Sequence, residues 1–178
     1  AEEEYGIPRG YAPYEALLDD PSVEAVYITL PNHLHTEWIR KAADAGKHIL
    51  CEKPMALTAV EARDAAAYAR SKGVLLSEAF MYRYHPRWVR ARELALTGHI
   101  GSLRAIHTLF GYYNADPANI RNVREYGGGA LYDIGCYAVS LSRYLTGREP
   151  GSVFARITRD PATGTDILTS AVLDFGEA

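Results

Sequence analysis

The chain has 178 residues, 48% hydrophobic and 23% charged, with a formal net charge of −3. That length carries one good core or parts of two domains, and the composition is globular rather than disordered or fibrous. Mild acidity argues against a nucleic-acid partner, no apolar run nears the ~20 residues that cross a bilayer, and two cysteines make no disulfide framework, so a reduced, cytoplasmic setting is expected.

Ala1 to Tyr5 reads as a helix tail that Gly6 stops, and Tyr14 to Leu18 as a short helix ended by Asp19, Asp20 and Pro21. Val23 to Leu30 is an apolar, β-branched run that suits a buried parallel strand. Asn32 is a good N-cap for the next helix, in which Leu34, Trp38 and Ala42 recur four apart until Gly46. Lys47 to Cys51 is a second strand. Thr58-Ala59-Val60-Glu61 is a capping box that opens a helix ending near Gly73, and Val74 to Glu78 is a third strand. Strand, helix, strand, helix, strand predicts a parallel α/β sheet whose strand C-termini share one edge, the edge where such sheets bind ligands.

From Pro86 the pattern changes. Pro86 to Leu96 reads as a helix, Ile100 to Tyr113 as a strand, Gly127 to Leu145 as a helix with the stripe Leu131, Ile134, Ala138, Leu141 and Leu145. Val153 to Thr158 and Ile167 to Phe175 read as antiparallel strands joined by the turn-rich Asp160 to Gly164. The expected division is residues 1–82, a partial parallel α/β domain, and 83–178, an α+β domain with a mainly antiparallel sheet.

Chemistry concentrates in four places. Cys51-Glu52-Lys53-Pro54 follows the second strand, so Lys53 faces the ligand edge, where an ammonium serves acid/base work or sits beside a reacting oxygen; the plain alternative is a surface loop lysine. Thr29 to His35 follows the first strand, and Asn32 with the helix N–H groups suits a polar ligand, or else is merely a cap with two exposed histidines. In Gly127 to Tyr137, Asp133 and Tyr137 stand at i and i+4 on one helix face, and Gly135 permits a close backbone approach. A phenol with a pKa near ~10 needs a nearby cation to act at neutral pH, and Lys53 is the candidate. Arg83 and His85, in the junction Glu78 to Pro86, and Arg121 are candidate substrate contacts, each with an ordinary structural reading beside it. Nothing in the spacing of His, Cys, Asp or Glu suggests a metal site.

Thr29-Leu30-Pro31-Asn32 with His35, Ala45-Gly46-Lys47-His48 leading to Glu52-Lys53-Pro54, and Gly127-Gly128-Gly129 through Asp133 to Tyr137 together resemble the glucose-fructose oxidoreductase / inositol dehydrogenase (Gfo/Idh/MocA) family, in the family's order. The resemblance implies a Rossmann-type domain for NAD or NADP, then a domain whose large sheet builds homo-oligomers. By the same carry-over Lys53, Tyr137 and Asp133 are catalytic. Thr29, Pro31, Asn32, His35, Glu52 and Lys53 line the cofactor. Many members carry His where this chain has Tyr137, which resembles the branch of glucose-fructose oxidoreductase, dihydrodiol dehydrogenase and aldose dehydrogenases. The family's Gly-x-Gly-x-x-Gly loop is absent from the sequence, so the chain reads as truncated at both ends. The expected function is hydride transfer between NAD(P) and a sugar or diol, with a sugar or polyol substrate and neither nucleic acid nor membrane as partner. The alternatives are a non-catalytic binding or assembly module of the same fold, and a glycosidase that recycles its nicotinamide.

Overall fold

The computed structural model describes residues 2–176, which divide into two compact units: 2–30 with 34–78, and 31–33 with 79–176. The first opens with short helices α1 (Glu2–Tyr5) and α2 (Tyr14–Asp19); the part of the first expected helix at Ala1 lies outside the described residues. Strands β1 (Ala25–Ile28), β2 (His48–Cys51) and β3 (Leu76–Glu78) form a parallel sheet in chain order. Helices α3 (His35–Asp44) and α4 (Ala59–Ser71) supply the crossovers. The expected parallel sheet is therefore present, with shorter strands than the apolar runs suggested.

One face of the sheet is buried. Ile49 and Cys51 alternate with exposed His48 and Leu50, so β2 shows a half-buried pattern rather than the two-sided burial expected of a parallel strand. Ile28, Ile49 and Cys51 pack with Ile39, Ala42 and Ala43 of α3 and Ala65 and Ala69 of α4. The alanines let the two helices lie close to each other and to the sheet. Ile39 is wholly buried, and such a side chain contributes roughly 2–3 kcal/mol. The buried stripe of α3 is His35, Ile39, Ala42 and Ala43, one residue on from the expected Leu34, Trp38, Ala42, because the helix starts at His35 after a 3-10 turn at Asn32–Leu34. The capping box of α4 is formed: the Thr58 hydroxyl accepts from the Glu61 N–H at 3.2 Å and the Glu61 carboxylate from the Thr58 N–H at 3.0 Å.

Cys51 closes this core. It is fully buried, and that burial, with smaller repulsion from Glu78 and Glu52, pushes its thiol up to about 12. A thiol pKa raised on folding, from ~8.5 in the unfolded chain, stabilises fully below that pH and less as pH climbs towards the folded value. Cys51 is accordingly expected to resist iodoacetamide at about pH 8 in the native protein and to react only on unfolding. Native-state labelling of Cys51 at the rate of a free thiol contradicts this.

The second unit contains α5 (Pro86–Leu96), α6 (Cys136–Thr146) and the antiparallel pair β4 (Ser152–Arg159) and β5 (Asp166–Asp174). Helix α5 lies against α6, and β5 against the turn that precedes α6. Two sequence expectations fail here. Ile100–Tyr113 forms no strand: its β-branched and aromatic residues are strand-like, but no described strand pairs with it, and Leu109 and Tyr113 are more than nine-tenths exposed. The expected helix from Gly127 begins later, because Gly127 is left-handed and Gly129 has φ +119°. Regular backbone starts with a π-helical turn at Leu131–Gly135 that leads into α6.

Candidate functional site

In the first unit the chemistry gathers at the C-terminal edge of the parallel sheet. Ile28, Cys51 and Glu78 are in register, so Thr29, Glu52 and Ala79 leave the strands at the same edge. The Glu52 N–H extends the ladder to the Ile28 carbonyl at 2.9 Å. Beyond it the Lys53–Pro54–Met55 turn, with a cis Lys53–Pro54 peptide, is held at each residue. The Lys53 N–H donates to Glu52 Oε2 at 3.1 Å, and the Met55 N–H to Glu78 Oε1 at 2.8 Å. The Pro54 carbonyl lies 2.8 Å from Nδ1 of His35. The other His35 ring nitrogen lies 2.7 Å from the Leu30 carbonyl, and the side chain is wholly buried. Glu52 also accepts from the Tyr27 hydroxyl. His35 and Glu52, expected to line a cofactor, thus have local work: with Glu78 they fix the loop that carries Lys53. Sequence reasoning missed Glu78, whose partner Met55 is 23 residues away.

Thr29, Glu52 and Lys53 put a hydroxyl, a carboxylate and an ammonium on one sheet edge. That donor and acceptor set fits the hydroxyls and carboxamide of a nicotinamide nucleoside, at the edge where parallel sheets bind such groups. Asn32 does not cap α3; Leu34 occupies that position without a side-chain cap bond. The Asn32 amide instead donates to the Gly127 carbonyl at 2.9 Å, and Pro31–His33 counts with the second unit. Its neighbour His33 stacks on Tyr126 at 4.5 Å.

In the second unit Tyr137, in the first turn of α6, is half-buried among aromatic rings. Phe80 lies edge-on at 5.4 Å, Phe110 at 6.0 Å and Tyr82 at 6.2 Å, while the Tyr82 hydroxyl bonds Ser140 Oγ at 2.7 Å. This wall packs against the phenol ring. Asp133 lies four residues earlier inside the π-helical turn, where i→i+5 bonding widens the helix, so the pair is not spaced as on a regular α-helix. The Asp133 carboxylate accepts from Arg121 Nε at 3.1 Å and from the Tyr112 hydroxyl. Burial, then the bond to Asp133, raises the Tyr112 pKa. Arg121, expected as a substrate contact, is therefore ion-paired to Asp133. His85 caps α5, accepting from the Arg87 N–H at 3.2 Å, and Arg83 lies over the Tyr144 ring at 5.5 Å. Lys53 belongs to the first unit and Tyr137 to the second.

Asp166, which sequence reasoning did not single out, anchors the Asp133 turn. Its Oδ2 accepts from the Leu131 N–H at 2.7 Å and from the Thr169 hydroxyl at 2.8 Å, so β5 caps the helix that carries Asp133 and Tyr137. The partners are 35 residues apart, and no local spacing announces them. The close approach expected at Gly135 is mild, an added Cβ meeting Leu131 Cδ1 at 3.1 Å and the Ala130 carbonyl at 3.4 Å, and is far tighter at Gly128 and Gly129. A Cβ at Gly128 would sit 2.5 Å from the Arg121 carbonyl, and one at Gly129 2.0 Å from Asp166 Oδ1. Gly129→Ala is expected to destabilise the protein by roughly 2–4 kcal/mol, through backbone strain and displacement of Asp166. Denaturant unfolding tests this, and a change under about 0.5 kcal/mol contradicts it.

Among the described residues no group of His, Cys, Asp and Glu is arranged to hold a metal, and no helix is long and apolar enough to cross a membrane.

Comparison with known proteins places these features. Residues 1–80 match the family model described as "Oxidoreductase family, NAD-binding Rossmann fold", and residues 88–178 that of the "GFO/IDH/MocA C-terminal domain". A D-xylose 1-dehydrogenase (NADP(+)) from Haloferax volcanii is 44% identical over 97% of this chain and 53% of its own length. A mouse trans-1,2-dihydrobenzene-1,2-diol dehydrogenase is 35% identical over 97% of this chain and 52% of its own. The structure of an aldose-aldose oxidoreductase from Caulobacter crescentus, complexed with glycerol, superposes with a TM-score of 0.87 at 34% identity, covering 96% of this chain and 53% of that one. The chain spans about half the length of the relatives it matches.

Proposed function

The chain belongs to the Gfo/Idh/MocA oxidoreductase family, and from that premise we propose that its protein transfers hydride between NAD or NADP and a sugar or diol. The observation that carries the reading is the clamped Lys53 turn at the C-terminal edge of a Rossmann-type sheet. The names of the xylose dehydrogenase, the diol dehydrogenase and the aldose-aldose oxidoreductase support the substrate class. When bound, the nicotinamide accepts or returns the hydride. Thr29 and Glu52 hold the nucleoside by hydrogen bonds, as donor and acceptor. Oxidising a hydroxyl carbon also releases a proton, which Tyr137 takes as its phenolate and gives back as the phenol when the reaction runs the other way. Lys53 brings its positive charge to the reacting oxygen, where negative charge develops. Asp133 fixes this end of the second unit through Arg121 and Tyr112.

The test is a scan of the intact protein with NAD+ and NADP+ against aldoses and vicinal diols, following nicotinamide absorbance. Substrate-dependent reduction is the expected result. Absence of both cofactor binding and turnover across the panel refutes the reading in favour of a non-catalytic module.

Two finer properties complete the proposal. The β4–β5 ribbon exposes Val153, Phe154, Ile167, Leu168 and Val172, an apolar surface that suits assembly of like subunits through this sheet. Cys51 and Cys136 are not joined in a disulfide, which suits the reducing cytoplasm.

A further inference from the structure

In the second unit the turn that carries Asp133 leads straight into the helix that carries Tyr137. Leu131–Gly135 is π-helical and α6 continues it to Thr146, so Leu131 stands at the N-terminus of one run of helix. The first N–H groups of a helix have no partner within it and need acceptors from outside. Asp166 supplies one, its Oδ2 accepting from the Leu131 N–H at 2.7 Å. Single π-helical turns are rare and collect at functional sites.

The strand that delivers Asp166 is irregular at that point. Arg159 pairs with Asp166 and Thr158 with Leu168, so Ile167 is an extra residue in β5, a β-bulge. A bulge bends its strand and re-aims side chains, and bulges gather beside active sites. The bend shows in the contacts. Three residues of extended strand span ~10 Å, yet the Thr169 hydroxyl donates to Asp166 Oδ2 at 2.8 Å. Oδ1 of Asp166 lies against Gly129, where an added Cβ would meet it at 2.0 Å. The Gly129 carbonyl accepts from the Asp133 N–H at 3.0 Å, and the Gly129 N–H donates to the Arg121 carbonyl at 2.8 Å. Arg121 Nε then closes on the Asp133 carboxylate at 3.1 Å. One connected network therefore runs from the bulge in β5 to Asp133.

From this geometry we infer that Asp166 is a positioning residue for proton transfer, with Thr169 orienting its carboxylate. Asp166 acts through the turn: it fixes Leu131 and Gly129, and with them the placement of Asp133 and of Tyr137 just beyond. Its negative charge also meets the positive end of the helix dipole, which favours a carboxylate over a neutral cap. A reacting group misplaced by ~1 Å costs up to 10²-fold in rate, so a distant anchor bears on the chemistry without touching it. The inference rests on the proposed role of Tyr137 in hydride transfer.

The test compares Asp166→Ala, Asp166→Asn and Thr169→Val with the intact wild-type protein, using the aldose or diol that turns over fastest in the NAD+ and NADP+ scan. Asp166→Ala is expected to lower kcat by roughly 10- to 100-fold with KM changed far less, thermal melting showing a folded protein. Asparagine keeps an acceptor oxygen for the Leu131 N–H, so Asp166→Asn recovers most of the rate. Thr169→Val, close in shape, removes only the hydroxyl that orients Asp166 and lowers kcat by roughly two- to tenfold; it decides the matter if the alanine variant does not fold. Amide hydrogen exchange over residues 131–137 quickens in each impaired variant. Wild-type kcat in folded Asp166→Ala, or in Thr169→Val where alanine does not fold, overturns the inference, as does a lost rate with unchanged exchange in that segment. Those results presuppose an active wild-type protein, so they leave hydride transfer standing. A wild-type protein inactive across the scan refutes the proposed function, and this inference with it.

Discussion

Tyr137→Phe is expected to lower kcat by roughly 10²- to 10⁴-fold, with KM changed by far less. The ring of Tyr137 is held by Phe80, Phe110 and Tyr82, and phenylalanine retains that packing. The substitution therefore removes a hydroxyl and leaves the wall around it. An interaction that matters only while the proton moves appears in kcat rather than in substrate binding. Steady-state turnover, with the thermal midpoint as a control for folding, decides it. A folded variant with near wild-type kcat removes Tyr137 from the proton-transfer step.

Lys53→Met is expected to cost roughly 10²- to 10³-fold in kcat, the scale of losing one preorganised group opposite a developing oxyanion. The turn that carries Lys53 is fixed through main-chain atoms: the Lys53 and Met55 N–H groups reach Glu52 and Glu78, and the Pro54 carbonyl meets His35. Those bonds use main-chain atoms, so methionine, of similar length and apolar, keeps them. Lys53→Arg restores charge with a wider planar head and is expected to recover only part of the rate. If Lys53→Met weakens cofactor binding but leaves kcat intact, Lys53 is a binding residue and its role at the reacting oxygen fails.

Legibility in the sequence followed the range of the interactions. The capping box at Thr58 and Glu61 closes within one helical turn, and the parallel sheet announces itself by alternation of strand and helix, so both were readable. The Glu52-Lys53-Pro54 turn was found by its place after β2. Its clamps were not, because His35, Glu52 and Glu78 act across the sheet edge. Asn32 looked like a local cap and instead bonds Gly127, 95 residues away. Ile100–Tyr113 has strand composition without a partner strand, and composition alone does not supply a ladder. The left-handed Gly127 and Gly129 at φ +119° delayed a helix whose apolar stripe looked continuous, and the π-helical turn at Leu131–Gly135 has no signature in that stripe. The role of Asp166 depends on contacts that spacing does not encode.

Hydride transfer has a direct tracer. A turned-over sugar or diol deuterated at the carbon that bears the reacting hydroxyl is incubated with the intact protein and oxidised NAD(P), and the reduced cofactor is recovered for mass spectrometry. The account predicts one deuterium in the nicotinamide ring for each turnover, with a slower rate than the protiated substrate wherever hydride transfer limits kcat. Product formation with the label retained in the product or lost to water, and none in the cofactor, contradicts it.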